Sequence, residues 1–512
     1  MNKKKSSIQS RAIKNSAVGF ISFFVSLAQA FISVPILLTY WGNEIYAIWL
    51  ALFAGAALFQ SLDNGHINYV GNKINLLYNY DKEELKKTLS SSIIVAATLG
   101  LFQLIVILVL ISFRLLPAFF NLSEELVSDI SLSLSLLILV FSWFISGSYG
   151  GILHRLMIPA GFYTQSLWWG IIYKISQFAS IVVVVVLGGN ILTVCIFYSL
   201  IQIVVYLLTF IYIRIKIPEF YPWWFGGDIK SAFTNFRKSL LLTFNGIVQQ
   251  LSNNGIILFI SNMISSTVIP AFTTLRTITN TATSATNILI SSFLPDIARF
   301  HTNQESKKLN AIFCSHWFFS GLIINIGMIL ILPFIESFFL IWTKGLIKFD
   351  YTLFLSLAVS ISLINFGSGF YFYLTSINNL TAQSIITISR AVIIFGSGYL
   401  LVPKFGLSGI GIAIILSEVI SSMILPFIFT KHILKSFNGK LDTKSMLTAA
   451  LAPIGITCIL VTDLLGVNFS LLVWFIALSL VLLIYVYNWF GLEEEVKMRF
   501  SHLFRNFTDT SE

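Results

Sequence analysis

Residues 268–295 read VIPAFTTLRTITNTATSATNILISSFLP, with an arginine, two asparagines and many hydroxyl groups between two apolar ends. The segment is long enough to cross a bilayer, which requires about 20 mostly apolar residues. On a helical wheel the polar residues Arg276, Asn280, Thr283 and Asn287 share one face, and apolar residues occupy the opposite face. The segment therefore predicts a membrane helix whose polar face meets water, a ligand or other polar groups.

The whole chain has the composition of a polytopic membrane protein. Of its 512 residues 56% are hydrophobic and 11% are charged, and the mean hydropathy is +0.86. These values lie outside the range of soluble domains, so an all-α membrane protein is predicted. Fourteen windows have the length and hydrophobicity of a transmembrane helix: 16–38, 45–62, 90–112, 129–150, 165–187, 191–213, 239–261, 268–294, 313–335, 351–377, 384–402, 408–430, 446–464 and 469–489.

The basic residues predict the orientation of these spans. An even number of spans puts both termini on one side, and the loops of that side hold 25 of the 32 lysines and arginines, against 4 on the other side. Both termini are therefore predicted to be cytoplasmic. The net charge of +10 follows from this topology and requires no nucleic-acid partner. Three basic residues remain, Lys174, Arg276 and Arg390, and they fall inside predicted spans.

Several classes of function are excluded by what the chain lacks. Its three cysteines fall within spans at unrelated spacings, which predicts neither a disulfide framework nor a metal site. The apolar run from Ala17 continues to Leu38, which favours an uncleaved first helix over a signal peptide. No phosphate-binding GxxxxGK[ST] motif and no HExxH motif occurs, and no soluble domain fits between the spans. A function inside the bilayer is expected, without a cofactor, metal or catalytic residue.

A weak internal repeat divides the chain. Gln165-Ser166 and Gln383-Ser384 each open a span, and a glycine, Gly188 or Gly406, follows 23 residues after each glutamine. Two six-helix halves and a terminal hairpin would produce this spacing. The predicted parts are an N-terminal six-helix lobe at 1–213, a cytoplasmic linker at 214–238, a C-terminal six-helix lobe at 239–430, a further transmembrane hairpin at 446–489 and a cytoplasmic tail at 490–512. The tail carries the apolar positions of an interfacial helix at Leu492, Val496, Leu503 and Phe507.

Two other spans carry polar stripes. In the seventh span the polar residues of one arc are Asn245, Gln249, Ser252 and Asn253. In the first span they are Asn15, Ser22, Ser26, Gln29 and Ser33. A buried amide or hydroxyl without a partner costs about 1–3 kcal/mol. Three stripes on separate helices therefore predict a shared hydrated cavity, and helix packing through small and polar residues is the alternative.

Charged residues at the level of the membrane are few and mostly basic. Lys174 lies about nine residues into its helix and Arg276 about eight residues from the outer end of its span. Arg390 lies about six residues from the cytoplasmic end of its span, so snorkelling is the competing explanation for both arginines. Glu418, in the twelfth span, either neutralises Arg390 or carries a proton or cation. Asp63, in the Asp-Asn-Gly that closes the second span, is either a turn and capping residue or a functional acid.

This balance favours an anionic ligand that carries many hydroxyl groups, since guanidinium and ammonium groups pair with phosphate and amides bind sugars. The predicted substrate-binding residues are Arg276, Lys174, Arg390, Asn245, Gln249, Asn280, Asn287, Gln29 and Ser26. The predicted ion-coupling residues are Glu418 and Asp63.

The N-terminal spans contain a further pattern. Pro35-x5-Trp41-Gly42-x3-Tyr46-x2-Trp49 is followed by Ser61-Leu62-Asp63-Asn64-Gly65, and the eighth span ends with Phe293-Leu294-Pro295. In these motifs and in its hydropathy the chain resembles the bacterial polysaccharide flippases of the O-antigen Wzx type, within the multidrug/oligosaccharidyl-lipid/polysaccharide (MOP) exporter superfamily. Two features depart from the family: many Wzx proteins have twelve spans, and Asn64-Gly65-His66 replaces the more usual apolar residue and glycine after the aspartate.

The resemblance implies two six-helix lobes around a V-shaped cavity. It also implies transport of undecaprenyl-diphosphate-linked oligosaccharide, such as an O-antigen repeat unit, to the outer leaflet of the bacterial inner membrane by alternating access. The family's cationic cavity residues would correspond to Arg276, Lys174 and Arg390, and the expected partners are a proton or sodium counter-ion and other polysaccharide assembly proteins. A cation-coupled multidrug exporter of the same superfamily is one alternative, although acids are few. A membrane-embedded polymerase or glycosyltransferase is another, although the outer loops are short.

Overall fold

The computed structural model describes residues 2–120, 129–291, 293–466 and 470–491, and all regular structure in these ranges is helical. The α-helices are α1 Asn2–Leu77, α2 Lys82–Ser112, α3 Leu116–Phe120, α4 Asp129–Ser142, α5 Ser148–Met157, α6 Tyr163–Val186, α7 Ile191–Lys216, α8 Ile229–Gln250, α9 Ile256–Met263, α10 Ile269–Ser291, α11 Leu294–Thr302, α12 Ser306–Gly321, α13 Gly327–Trp342, α14 Tyr351–Ser376, α15 Leu380–Glu418, α16 Leu425–Lys435, α17 Thr443–Leu451, α18 Ile454–Leu464 and α19 Leu471–Gly491. Turns of π-helix join four pairs of them, at Trp143–Gly147, Leu251–Gly255, Leu322–Ile326 and Val419–Ile424.

The prediction of an all-α polytopic membrane protein is confirmed. Among the described residues ten helical stretches are long and apolar enough to cross a membrane, and two of them, Ala17–Leu77 and Leu380–Lys435, each contain two predicted windows. The windows 239–261 and 268–294 are also helical but are not among the ten. The total of fourteen spans stays a prediction, and the predicted tail helix at 492–507 lies outside the described residues.

Glycines break the two longest helices. Gly42 in α1 has φ 69° and Gly406 in α15 has φ 56°. Gly188, which follows α6, has φ 83°. Residues with a Cβ avoid positive φ, so glycine is the residue expected where a membrane helix turns back. The predicted turn glycines Gly188 and Gly406 are confirmed.

Polar side chains at helix starts fix where several helices begin. Asp228 precedes α8 and accepts a hydrogen bond at 2.7 Å from the backbone N–H of Ser231. This hydrogen bond and the ammonium of Lys87, 2.9 Å away, lower the pKa of Asp228 well below its usual range. Such a cap satisfies one of the free N–H groups of the first helical turn. Equivalent caps precede α2, α7 and α14 at Asp81, Asn190 and Asp350.

The segment Asp63-Asn64-Gly65 does not close the second span as predicted, because α1 remains helical to Leu77. Gly65 serves a close helix crossing instead of a turn: a Cβ built on it would lie 2.1 Å from the backbone nitrogen of Thr243 in α8. The missing side chain lets α1 and α8 meet at backbone contact, as small residues do between membrane helices. Next to the crossing, the side chains of His66 and Ser239 form a hydrogen bond of 3.2 Å.

By packing, the chain divides into two compact units. Unit 1 is Met1–Pro270 with Trp342–Ile347, and unit 2 is Ala271–Ile341 with Lys348–Glu512. Helices α8 and α9, which hold the seventh predicted span, therefore belong to unit 1, where α8 packs on α1 and α2. The division falls after residue 270 and not in the predicted linker 214–238, and the assignment of lobes to 1–213 and 239–430 stays a prediction.

The terminal hairpin is packed into unit 2. The side-chain amide of Asn325, in the π-turn after α12, donates a hydrogen bond of 3.2 Å to the hydroxyl of Tyr485 in α19. Gly321 makes room for this tyrosine, since a Cβ there would lie 2.3 Å from the same hydroxyl. The indole of Trp474 donates to the carbonyl of Ile329 at 2.6 Å. Polar contacts as well as apolar packing thus attach α19 to α12 and α13.

The helix crossing at Gly65 predicts a specific loss of stability. Gly65→Ala should destabilise the protein by about 1–3 kcal/mol, because the new methyl group forces the two backbones apart. Gly19→Ala is the matched control in the same helix, since a Cβ at Gly19 meets nothing within 4 Å. The thermal unfolding midpoints of the purified variants in detergent measure the difference, and equal midpoints would contradict the proposed crossing.

Candidate functional site

Lys174 of α6 lies against the polar stripe of α1. Its ammonium donates hydrogen bonds to the hydroxyls of Ser22 at 3.0 Å and Ser26 at 2.9 Å. The amide of Gln29 donates to the backbone carbonyl of Lys174 at 2.6 Å. The structure therefore brings together three of the predicted site residues, Ser26, Gln29 and Lys174, within unit 1.

The charge of Lys174 is not neutralised by these neighbours. Within the described part of the chain Lys174 forms no ion pair with an acidic residue, and its side chain is half-buried. An ammonium has three donors, of which the two serines use two. A full positive charge and one hydrogen-bond donor thus remain, which is the chemistry that binds an anion.

The stripe of the seventh span is interrupted. Asn245 is half-buried and Gln249 is exposed, but Ser252 is buried and donates a hydrogen bond of 3.1 Å to the carbonyl of Val248. Ser252 lies four residues after the buried Val248, on the same side of the helix, and the π-turn Leu251–Gly255 begins here. The sequence pattern alone did not reveal this turn.

Helix α10 of unit 2 keeps its two predicted faces. Leu275 and Ile278 are buried, Asn280 is exposed, and Arg276 and Asn287 are half-buried. Several hydroxyls of the helix are satisfied locally, because those of Thr277, Thr281 and Ser284 each donate to a carbonyl four residues earlier at 2.8–2.9 Å. The buried hydroxyls of Thr274 and Thr283 have no hydrogen-bond partner among the described residues.

Arg390 and Glu418 form an ion pair inside unit 2. The guanidinium of Arg390 lies 3.0 Å from the carboxylate of Glu418 and donates to the hydroxyl of Ser422 at 2.9 Å. Ser422 in turn donates to Glu418 at 2.5 Å. The Glu418 side chain is 4% exposed and that of Arg390 is 25% exposed. Of the two predicted alternatives for Glu418, the geometry shows neutralisation of Arg390.

Arg276, in α10 of unit 2, has an aromatic and an acidic neighbour. Its guanidinium lies 5.7 Å from the ring centre of Phe272. It is also within the electrostatic influence of the Glu418 carboxylate.

Asp63 lies in a closed polar site of unit 1. Its side chain is 1% exposed, and one carboxylate oxygen accepts hydrogen bonds from the indole of Trp143, at 3.0 Å, and from the hydroxyl of Ser148. The other oxygen, Oδ1, has no hydrogen-bond partner. Trp143 and Ser148 lie five residues apart across a π-turn, which aligns their side chains. Asp63 is therefore a buried helix residue and not the predicted turn residue.

No protein-family model and no curated protein matches the sequence. Solved membrane transporters do match the structure. An inward-facing multidrug resistance MATE family transporter of the MOP superfamily has a TM-score of 0.62 at 15% identity, covering 83% of this chain and 99% of its own. The lipid II flippase MurJ, in an inward closed conformation, has a TM-score of 0.63 at 16% identity, covering 93% of this chain and 98% of its own. These likenesses show a shared fold.

A third match illustrates how charge varies on this fold. A MOP superfamily transporter from Pyrococcus furiosus, described by a reverse polarity of its binding pocket, has a TM-score of 0.56 at 17% identity, covering 84% of this chain and 96% of its own. The chain is thus a multi-pass membrane protein with the fold of MOP superfamily transporters, as predicted. The finer relationship to Wzx-type flippases stays a prediction.

The ion pair of unit 2 predicts an asymmetric mutational response. Glu418→Gln alone leaves Arg390 charged and unpaired, so we expect a loss in the lower part of the range of about 3–5 kcal/mol for a broken buried pair. The double replacement Arg390→Met with Glu418→Gln should recover most of this loss. Asp296→Asn, at the exposed Arg299–Asp296 pair, is the control and should cost no more than about 1 kcal/mol. Thermal midpoints of the wild type and these variants measure the losses, and a double variant no more stable than Glu418→Gln would contradict the prediction.

Proposed function

We propose that this protein is a flippase that moves undecaprenyl-diphosphate-linked oligosaccharide from the cytoplasmic to the outer leaflet of the bacterial inner membrane by alternating access. The observation that carries the proposal is Lys174, a membrane-level cation held by the hydroxyls of Ser22 and Ser26 and by no acid of the described chain. A charge at this depth costs at least about 2.5–3.5 kcal/mol. A diphosphate that passes the site would offset this cost by pairing with it.

Amide groups suit the rest of such a substrate. Gln29 lies beside Lys174, and exposed or half-buried amides are present in α8 of unit 1, at Asn245 and Gln249, and in α10 of unit 2, at Asn280 and Asn287. Amides offer both donors and acceptors, so they can exchange hydrogen bonds with successive sugar hydroxyls without a fixed geometry. In this proposal Lys174 contacts the diphosphate and Arg390 serves to neutralise Glu418, while a role of Arg276 in substrate binding stays a prediction.

The structural likeness to the lipid II flippase covers more of this chain than the likeness to the MATE transporter. The 77 residues after Lys435 are 15% of the 512, whereas the alignment with the lipid II flippase leaves out only 7% of this chain. That alignment must therefore include part of the terminal hairpin. The alignment with the MATE transporter, at 83%, is short enough to omit the hairpin entirely.

A cation-coupled multidrug exporter is the second candidate, and Asp63 is the observation that favours it. Its Oδ1 atom is buried without a partner, which suits a proton or a small cation. However, cationic cargo requires free negative charge along its path. The described structure ties Glu418 to Arg390 and encloses Asp63 between Trp143 and Ser148.

The proposal predicts that translocation depends on charge at residue 174. In proteoliposomes loaded with fluorescent undecaprenyl-diphosphate oligosaccharide, the wild type should expose the sugar to an impermeant quencher, and Lys174→Gln should slow this at least tenfold. Arg276→Gln should act in the same direction, and Lys174→Arg should retain most of the activity. Arg299→Gln, an exposed cation outside the spans, is the control.

Two results would contradict the proposal. Wild-type protein that leaves the labelled sugar inaccessible would exclude this substrate. Undiminished translocation by Lys174→Gln would remove the residue on which the proposal depends. Transport of a cationic dye that is lost in Asp63→Asn would support the drug exporter instead.

A further inference from the structure

A cavity lies inside unit 1, and Lys174, Ser22 and Ser26 are not among its lining residues. Its volume is about 340 Å³, and its wall consists of α1, the α4–α5 region, α6 and α7. Lining residues on α6 recur at the spacing of one helix face, at Ser166, Trp169, Gly170 and Tyr173. Ligand pockets start at about 300 Å³, so the cavity is large enough for a small polar molecule.

Aromatic rings form most of one wall. The rings of Tyr173 and Tyr206 meet edge to face with centroids 5.4 Å apart, and Trp143 and Trp169 also line the cavity. The orientation of Trp143 is fixed by its hydrogen bond to Asp63. Rings held in this way offer flat apolar faces, on which the C–H face of a sugar ring packs.

A cation and an imidazole also line the cavity. Arg155 and His154, at the end of α5, both line it. Arg155 donates one hydrogen bond to Asn68, and its stem packs on Gly71, whose Cβ would lie 2.8 Å from the arginine. Within the described chain Arg155 forms no ion pair, and no acidic residue lines the cavity. A guanidinium has five donors, so most of its capacity remains available for an oxyanion.

Gly170 leaves free space in the wall of the cavity. A Cβ on this glycine would meet nothing within 4 Å, although the residue lies in the helix between Trp169 and Tyr173. The absence of a side chain thus adds free space in the aromatic part of the cavity. A larger residue here would fill this space without a clash in the empty protein.

We infer that this cavity is a binding site for a glycosyl phosphate, with the sugar ring against the aromatic wall and the phosphate at Arg155. On the predicted topology the ends of α1, α5 and α7 and the start of α6 lie on the cytoplasmic side, so the site would take its ligand from there. Two sources carry this chemistry: a lipid-linked saccharide in the bilayer and a nucleotide sugar in water. The lipid-linked source rests on the proposed function; the binding site itself does not.

Equilibrium binding to the full-length protein in nanodiscs tests the inference, with radiolabelled undecaprenyl-diphosphate-N-acetylglucosamine and UDP-N-acetylglucosamine as the two probes. Arg155→Gln should weaken binding at least tenfold, and Gly170→Leu should abolish it by filling the cavity. Lys216→Gln and Gly396→Leu are the controls: Lys216 is an exposed cation at the end of α7, and Gly396 is another helical glycine with nothing within 4 Å of its Cβ. Trp169→Ala provides a second test of the aromatic wall, should Gly170→Leu fail to fold.

The outcomes separate the site from the transport function. Binding of the lipid-linked probe that is lost in Arg155→Gln and retained in Lys174→Gln supports a receiving site that is distinct from Lys174. Binding of the nucleotide sugar alone supports the site with a water-soluble ligand and removes the lipid source. If neither probe binds, or if Arg155→Gln and Trp169→Ala bind as the wild type does, the inference is overturned. A wild-type protein that binds a probe but does not translocate the lipid-linked oligosaccharide would contradict the proposed function and still support this binding site.

Discussion

Within a bilayer a charged or polar side chain without a partner is costly, and the internal arrangement of this protein reflects that constraint. The described structure reduces this cost in three ways. Arg390 and Glu418 neutralise each other with the help of Ser422. Thr277 and Thr281 of α10 bond to their own helix. Lys174 is solvated by serine hydroxyls and keeps its charge. Only the third solution leaves a charge that a passing ligand can use, which is why Lys174 and not Arg390 carries the proposed function.

The sequence was sufficient for the fold class because a bilayer leaves few alternatives. Long apolar windows predict helices, and each predicted window lies mostly on helical residues of the described structure. The turn glycines Gly188 and Gly406 were also predictable, since a repeat pattern marked them and positive φ favours glycine. The prediction of a turn at Asp63-Asn64-Gly65 was wrong, because these residue types are typical of turns but here lie within a helix. Its actual role depends on the backbone of α8, which is distant in sequence and leaves no mark on residues 63–65.

Side-chain partnerships were harder to predict than helices. The pairing of Arg390 with Glu418 was among the alternatives, because both residues lie near one hairpin turn in the sequence. The partners of Asp63 were not, since they depend on a π-turn that aligns Trp143 with Ser148. No motif or polar stripe of the sequence marks Arg155 or His154 as a site residue. Only the folded chain brings them together with aromatic rings from two other helices.

The contact between Asn325 and Tyr485 has a consequence for the length of the molecule. A chain that ended after α16 would leave the Asn325 amide and the groove over Gly321 facing hydrocarbon. The Tyr485 hydroxyl that accepts a hydrogen bond from this amide would be missing. The terminal hairpin is therefore an integral part of the packing of unit 2. A shortened form, whether made by evolution or in the laboratory, would have to replace the asparagine with an apolar residue and the glycine with a larger one before its surface suited lipid.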